Sequence, residues 1–280
     1  MNKNNRQNIA NRTLDILETG TYTIGNTEIN LKDKIEESLA KTFTVHPSEF
    51  SEIKNKNIIK NDFEVDIVIK NCSTIQAITE EENLKIGVLN FASAKNPGGG
   101  FLGGASAQEE SLARSSSLYK SLSKDKAMYE YHKNELSFLY SDYMIYSPEV
   151  VFWFDDEGHF LNKILVADII TSPAPNKGAM LQHNRTEELK NINIVFKDRI
   201  DNVLAIANQQ RIECLILGAW GCGVFRNEPT DVAKYFQEVI NSKYRNAFKK
   251  IVFAIYDSSE KKINYKIFEN AFNEHRIKKI

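Results

Sequence analysis

Runs of five to eight apolar residues recur along the second two-thirds of this chain, with helical periodicities between them. Strand-like runs lie at 65–69, 84–91, 150–154, 164–170, 213–217 and 251–256. Several of these, among them ILVADII, CLILG and IVFAIY, are apolar at consecutive positions and not merely at alternate ones. That is what strands buried on both faces require. Helical spacing predicts helices over 74–82, 108–123, 186–209, 229–242 and 261–274. The alternation implies an α/β protein with a mostly parallel sheet between helical layers. A turn at Glu157-Gly158 adds one antiparallel pair.

The first 60 residues have a different texture. Ile9, Leu14 and Leu17 are spaced as on a helix that runs into Gly20, a C-cap candidate. Residues 22–31 read as a hairpin about Gly25-Asn26, and 32–42 as a second helix. His46-Pro47 then breaks the pattern, and a polar stretch continues to Asn61. The expected organisation is an accessory extension over 1–60 packed on a core domain over 61–280, because Ile9, Leu14, Leu17, Ile35 and Leu39 need a surface to bury against.

Composition narrows the function. The 280 residues carry 36 Lys+Arg against 37 Asp+Glu. Residues 1–60 hold 9 basic and 8 acidic side chains and the remainder 27 and 29, so no segment is a basic arm. Binding to extended nucleic acid, which rests on many cations neutralising phosphates, is not expected. The three cysteines and five histidines lack metal-type spacing. No metal or cofactor is expected. The amino terminus lacks a signal-peptide core and no apolar run reaches membrane-spanning length, which points to a monomeric cytoplasmic protein with no membrane partner.

The glycines say most. Of 13 in the chain, five fall in 98–104 and three in 218–223, and each cluster follows a buried-type strand and precedes a helix. Such loops let the backbone approach an anion and aim N–H groups at it. Gly98-Gly99-Gly100-Phe101-Leu102-Gly103 satisfies G-x-G-x-x-G, yet Ala92 to Pro97 separate it from the strand, and no acidic residue closes a second strand about 20 positions on. A nicotinamide-binding fingerprint is therefore rejected, and no P-loop motif exists.

Gln108-Glu109-Glu110 follows the first glycine loop. Ser106 and Glu109 have capping-box spacing. Adjacent helical residues point about 100° apart, so one cap does not employ both glutamates. Two carboxylates beside an anion-binding loop suit cleavage of a ribosyl glycosidic bond. One protonates the leaving oxygen and the other grips hydroxyls as oxocarbenium character develops. A glutamate near a second carboxylate is expected to have the raised pKa that a general acid needs. Cys222, with no histidine near it in sequence, reads as a small loop residue and not a nucleophile.

These residues resemble a known family. Asn96-Pro97-Gly98-Gly99-Gly100, a seven-residue spacer and Gln108-Glu109-Glu110 look like the signature of bacterial-type poly(ADP-ribose) glycohydrolases, a branch of the macrodomains. VLNFASA at 88–94, RSSSLY at 114–119, IYSP at 145–148, TSPAPN at 171–176 and GAWGCGVFRN at 218–227 extend the resemblance over nearly the whole chain. It implies a three-layer α/β/α macrodomain with a mostly parallel mixed sheet and an N-terminal helical extension. It also implies ADP-ribose, or a polymer, protein or nucleobase carrying it, as ligand. Glu110 is the implied general acid and Glu109 the holder of the distal ribose, with Asn90, Asn96 and Gln108 nearby. Gly98, Gly99 and Gly100 face Gly221, Cys222, Gly223, Val224, Phe225 and Asn227 around the diphosphate, and Tyr256 stacks on adenine. The acidic residue that reads adenine in many macrodomains has no equivalent at Asn71-Cys72-Ser73. The other readings are a mono-ADP-ribosyl hydrolase acting on modified protein or nucleobase, and a non-catalytic ADP-ribose reader, although a reader has no need of two glutamates.

Overall fold

The runs that are apolar on both faces form the inner strands of one seven-stranded sheet. The computed structural model describes residues 1–81 and 83–277. The N-terminal part comprises α1 (Lys3–Thr19), the hairpin β1 (Thr21–Ile24) and β2 (Thr27–Asn30), α2 (Lys32–Lys41), β3 (Phe43–Val45) and α3 (Phe50–Asn55). There follow β4 (Asp66–Lys70), α4 (Thr74–Glu80), β5 (Ile86–Phe91), α5 (Gln108–Ser115), α6 (Leu118–Lys124), α7 (Ala127–Asn134), β6 (Met144–Phe154) and β7 (Phe160–Ser172). The chain continues through α8 (Lys177–Gln182), α9 (Thr186–Gln209), β8 (Cys214–Leu217), α10 (Pro229–Val239), β9 (Lys250–Ala254) and α11 (Ile263–Ile277).

The strand order is β3-β6-β7-β5-β8-β9-β4. The five strands from β7 to β4 run parallel, and β6 is antiparallel to both its neighbours. Period-two alternation sends Leu89, Leu215, Leu217 and Phe253 to one face, where they pack with Phe196, Phe236 and Phe268 of α9, α10 and α11. Val88, Ile216 and Val252 go to the other face, against Ile75, Leu112, Leu122 and Met128 of α4 to α7. The result is a three-layer α/β/α fold with a mixed, mostly parallel sheet. No helix among the described residues is long and apolar enough to cross a membrane.

The N-terminal segment covers the far half of the β6–β7 hairpin. Ile9, Ile16, Leu17, Leu31 and Ile35 close over Val151, Trp153 and Phe154. Gly20 ends α1 in the left-handed region at φ 76°, its N–H donating to the Ile16 carbonyl at 2.8 Å. β3, from the same segment, pairs with β6 at the sheet edge.

Some elements differ from the sequence expectation. Strand β6 begins at Met144, not at residue 150, because Pro148-Glu149 hides its continuity. The pair forms a bulge in which Glu149 takes φ 51° and its N–H reaches the Asp168 carboxylate at 2.8 Å. The helix expected over 108–123 breaks at Ser116, which is extended and bridges to Phe152. Hydroxyl groups cause the break: Ser116 Oγ donates to the Leu112 carbonyl, and Ser117 Oγ accepts the Val151 N–H. The helix read over 74–82 ends at Glu80, and Glu82 lies outside the described residues. The short β3, α7 and α8 were not expected.

The hydrophobic closure over Trp153 generates a test of the accessory layer. Ile35, 2 % exposed, should cost about 2–5 kcal/mol when cut back to alanine. Deleting residues 1–41 should destabilise the remainder further, by uncovering Trp153 and Phe154. Thermal unfolding of both variants checks this, and an unchanged midpoint would refute the packing role.

Candidate active site

The carboxyl ends of β5, β8 and β9 open into one cleft of about 850 Å³, walled by the loops after these strands and by the N-terminal end of α5. The first wall is built by side chains that satisfy main-chain groups. Gln108 acts as a clamp on the strand: its Oε1 accepts the Phe91 N–H at 2.9 Å and its Nε2 donates to the Leu89 carbonyl at 2.9 Å. The loop between is a set of tight turns, in which Gly99 N–H donates to Asn96 O and Gly104 N–H to Phe101 O, both at 3.0 Å. Gly99 lies at φ 58°, and a Cβ there would stand 2.9 Å from Cδ of Glu110 and 3.1 Å from a Glu109 oxygen. Only glycine leaves room for both carboxyl groups.

The two glutamates occupy different environments. Glu109 is 2 % exposed. Its carboxyl accepts the Ser93 N–H at 2.6 Å and the Asn90 amide at 3.3 Å, with the Gly98 N–H adding to these. Burial pushes its pKa up to about 8 against those hydrogen bonds, and the neighbouring Glu110 adds to the rise. The glutamate with the raised pKa is thus the inner one. Glu110 faces the cleft, and each of its oxygens takes one backbone N–H, from Gly100 at 2.9 Å and from Ala107 at 3.1 Å. The cap of α5 is therefore one-sided, with the Glu110 carboxylate taking the Ala107 N–H, and it is not the Ser106–Glu109 pair that the spacing suggests.

The second glycine loop leaves its main chain open. Among the described residues, nothing accepts a hydrogen bond from the N–H groups of Gly221, Gly223, Val224 or Phe225. Val224 is 83 % exposed. Trp220 is buried beneath, its indole N–H donating to the Ser172 carbonyl at 3.2 Å. Burial pushes the Cys222 thiol up to about 12, so it stays protonated and is no nucleophile.

Most of the residues singled out by sequence come together here. Asn96, Gly99, Gly100, Gln108, Glu109, Glu110, Gly221, Cys222, Gly223, Val224, Phe225 and Tyr256 all line the cleft. Tyr256 presents its ring 74 % exposed at the β9 end, and Phe225 packs on Tyr140 with centroids 6.1 Å apart. Three stand behind the wall instead. Asn90 is fully buried and bonds Glu109 and Thr171. Gly98 packs against Phe101 and Ala113, and Asn227 ties the Pro175 carbonyl to that of Gly221. Residues not foreseen also line the cleft: Arg6 of α1, Ser73, Arg114 and Asp156. Ser73 donates to Asp156 across from the β6–β7 turn, a contact between residues 83 positions apart that no local pattern announces.

An α/β/α protein with two glycine loops and a glutamate pair at the carboxyl ends of its strands belongs to the macrodomain class of folds. Residues 10–155 match the family described as microbial-type PARG, catalytic domain. The poly(ADP-ribose) glycohydrolase (PARG) from Thermomonospora curvata is similar in structure with a TM-score of 0.89 at 35 % identity, over 95 % of this chain and 99 % of that one. Its structure bound to the inhibitor ADP-HPD gives 0.87. The enzyme from Deinococcus radiodurans in complex with ADP-ribose gives 0.81 at 34 % identity, over 86 % of this chain and 97 % of that one. No curated protein matches the chain. The chain belongs to the microbial-type PARG family.

The buried carboxyl of Glu109 predicts a pH dependence of stability. Unfolded, it releases its proton near the ordinary value of 4.5; folded, it holds the proton up to about 8. Between these values the folded state binds more protons, so this group's contribution to stability falls as pH rises. Glu109→Gln removes that loss, on the order of a few kcal/mol. The amide nitrogen of Gln meets one of the donors that now reach Glu109, a cost independent of pH. The difference between the two unfolding midpoints should therefore shift in favour of the variant as pH rises from 4.5 to about 8. A gap that does not vary with pH would show that Glu109 is not the group concerned.

Proposed function

We propose that the protein is a poly(ADP-ribose) glycohydrolase, with Glu110 as the general acid. The observation that carries this reading is the division of labour between two adjacent glutamates, one buried and held neutral and the other presented to the cleft. A carboxylic acid that keeps its proton at neutral pH both donates and accepts hydrogen bonds. Glu109 is therefore suited to grip the hydroxyl groups of the distal ribose. Asn90, Ser93 and Gly98 hold it in place from behind. Glu110 has each oxygen oriented by one backbone N–H, which fixes the carboxyl and leaves lone pairs directed outward.

The reaction follows from that placement. Glu110 delivers a proton to the leaving oxygen as the C–O bond to the distal ribose lengthens. The resulting carboxylate lies against the oxocarbenium-like carbon and stabilises it until water adds, and it then takes up the proton that the water gives up, which restores the acid. The diphosphate is held by the free N–H groups of the second glycine loop, and the exposed ring of Tyr256 offers a face for adenine. Asn96 lies at the turn where the distal ribose would be received. Relatives of this chain have been crystallised with ADP-ribose and with ADP-HPD, which supports ADP-ribose as the unit bound. The cleft is complete within one chain and the three cysteines are all free, which supports a monomer working in a reducing compartment such as the cytoplasm. Residues 1–60 serve in this reading as an accessory layer on the catalytic core over 61–280.

Glu110→Gln preserves the shape of the carboxyl but cannot supply the proton. Turnover of poly(ADP-ribose) should fall by about 10²–10⁴-fold. Affinity for free ADP-ribose, measured by calorimetry, should stay within a few-fold. Hydrolysis that survives in a folded variant would remove Glu110 from the role of acid. A parent protein that binds ADP-ribose and releases none from any polymer would favour a reader.

A further inference from the structure

Beyond Glu110 the cleft has a wall that the proposed chemistry leaves unused, and two guanidinium groups stand in it. Arg114, on α5, is 3 % exposed, and its terminal nitrogens donate to the Ala105 carbonyl at 3.0 Å and to Ser111 Oγ at 3.3 Å. Arg6, on α1, is half-buried; its Nε donates to the Gly104 carbonyl at 2.6 Å and one terminal nitrogen to the Met1 carbonyl at 2.7 Å. Both line the same cleft as Glu110. Burial holds the Arg114 guanidinium below its ordinary range, and the positive charge of Arg6 adds to this, while Glu110 and Asp156 act in the opposite sense. Among the described residues, neither arginine forms an ion pair with a carboxylate. Every partner each one has is a neutral oxygen.

This placement is constructed. Thr13 Oγ of α1 donates to the Arg114 carbonyl, and Phe101 of the glycine loop packs with Ala10 and Ala113. Gly104, at φ 77°, passes so close to α1 that a Cβ would stand 2.7 Å from the Lys3 carbonyl oxygen. Two like charges brought together beside a cleft and fastened only to neutral groups leave a place for an anion.

The chemistry of the polymer supplies one. The oxygen that departs when a link of poly(ADP-ribose) is cut belongs to a ribose of the neighbouring unit, and that unit carries its own diphosphate. The near-neutral surface has no broad basic face to receive it. Resting on the function proposed above, we infer that Arg6, backed by Arg114, forms a subsite for the diphosphate of the leaving ADP-ribose unit. The N-terminal helix thereby contributes a binding residue to the site.

The experiment compares two substrates that share the glycosyl side. One is poly(ADP-ribose), and the other is ADP-ribose bearing 4-nitrophenol at the distal anomeric carbon, which has no leaving-side phosphate. Arg6→Gln should lower kcat/KM on the polymer about tenfold at low salt, as expected for one lost charge-assisted contact. It should leave the aryl substrate within about twofold, and polymer cleavage should become less sensitive to salt. Arg6→Lys should restore part of the loss. An equal fall on both substrates would mean that Arg6 merely supports the loop at Gly104, and no fall on either would mean that it touches no substrate; each overturns the inference. Failure of the parent protein to cleave the polymer while cleaving the aryl substrate would overturn the proposed function itself, and the subsite with it.

Discussion

The Glu109 carboxyl is buried, and the donors of the surrounding loop make that burial tolerable. Three donors reach it, from Ser93, Asn90 and Gly98, and all belong to the strand β5 and the turn directly after it. Burial still prevails over these hydrogen bonds and leaves the group neutral near pH 7. Once Glu109 is fixed, helical geometry decides the rest. Gln108, one position back, points at the edge of the strand and completes its hydrogen bonding. Glu110, one position on, points at the cleft and takes the N–H groups of Gly100 and Ala107. Three consecutive side chains thus anchor strand, inner cavity and glycine loop in turn.

The two glycine loops accordingly do opposite things with their backbones. In the first, N–H groups are consumed by turns and by carboxylates, so the loop is rigid and its glycines serve close packing; Gly99 is needed because two carboxyl groups crowd its α-carbon. In the second, the N–H groups of Gly221, Gly223, Val224 and Phe225 have no acceptor among the described residues, while that of Cys222 donates to the Ala219 carbonyl. Asn227 and Trp220 hold that loop by its carbonyl and its underside. A wall carrying Glu110 opposite a row of free donors is the arrangement on which the proposed bond cleavage beside an anion rests. On the function proposed above, it is also how a chain of near-zero net charge would hold a diphosphate.

What the sequence made legible was whatever depends on local spacing. Strands apolar at consecutive positions were readable because both faces are covered, and Gly20 as a cap because a left-handed residue is needed there. The glutamate pair was readable because its spacing from the glycines is short. Features set by distant contacts were not. Pro148-Glu149 reads as the end of a strand, yet Asp168 captures the bulge and the strand continues. The serines at 115–117 carry helical spacing, yet hydroxyl bonds to Leu112 and Val151 break the helix. Asn90 and Asn227 are singled out by position and stand behind the wall, where Asn90 bonds Glu109 and Thr171 and Asn227 bonds the Pro175 and Gly221 carbonyls. Arg6 lies 98 residues from the carbonyl it holds, and nothing near it in sequence marks it out.

That separation bears on how the N-terminal layer should be understood. Its amphipathic helices look like a cover for Trp153 and Phe154, and hydrophobic burial is the main stabilising contribution they make. A cover of that kind needs only an apolar face. Residues 3–13 do more, because they meet the glycine loop at Phe101 and at Gly104, where a Cβ would clash with the Lys3 carbonyl, and they meet α5 at the Arg114 carbonyl. The loop is therefore positioned from two sides, by β5 through Glu109 and by α1 through main-chain contacts. A shift of α1 moves the turn that sets Gly100, and with it one of the two donors on Glu110. The placement of Glu110 thus rests partly on packing with the N-terminal helix, which an apolar face of equal hydrophobicity would not by itself reproduce.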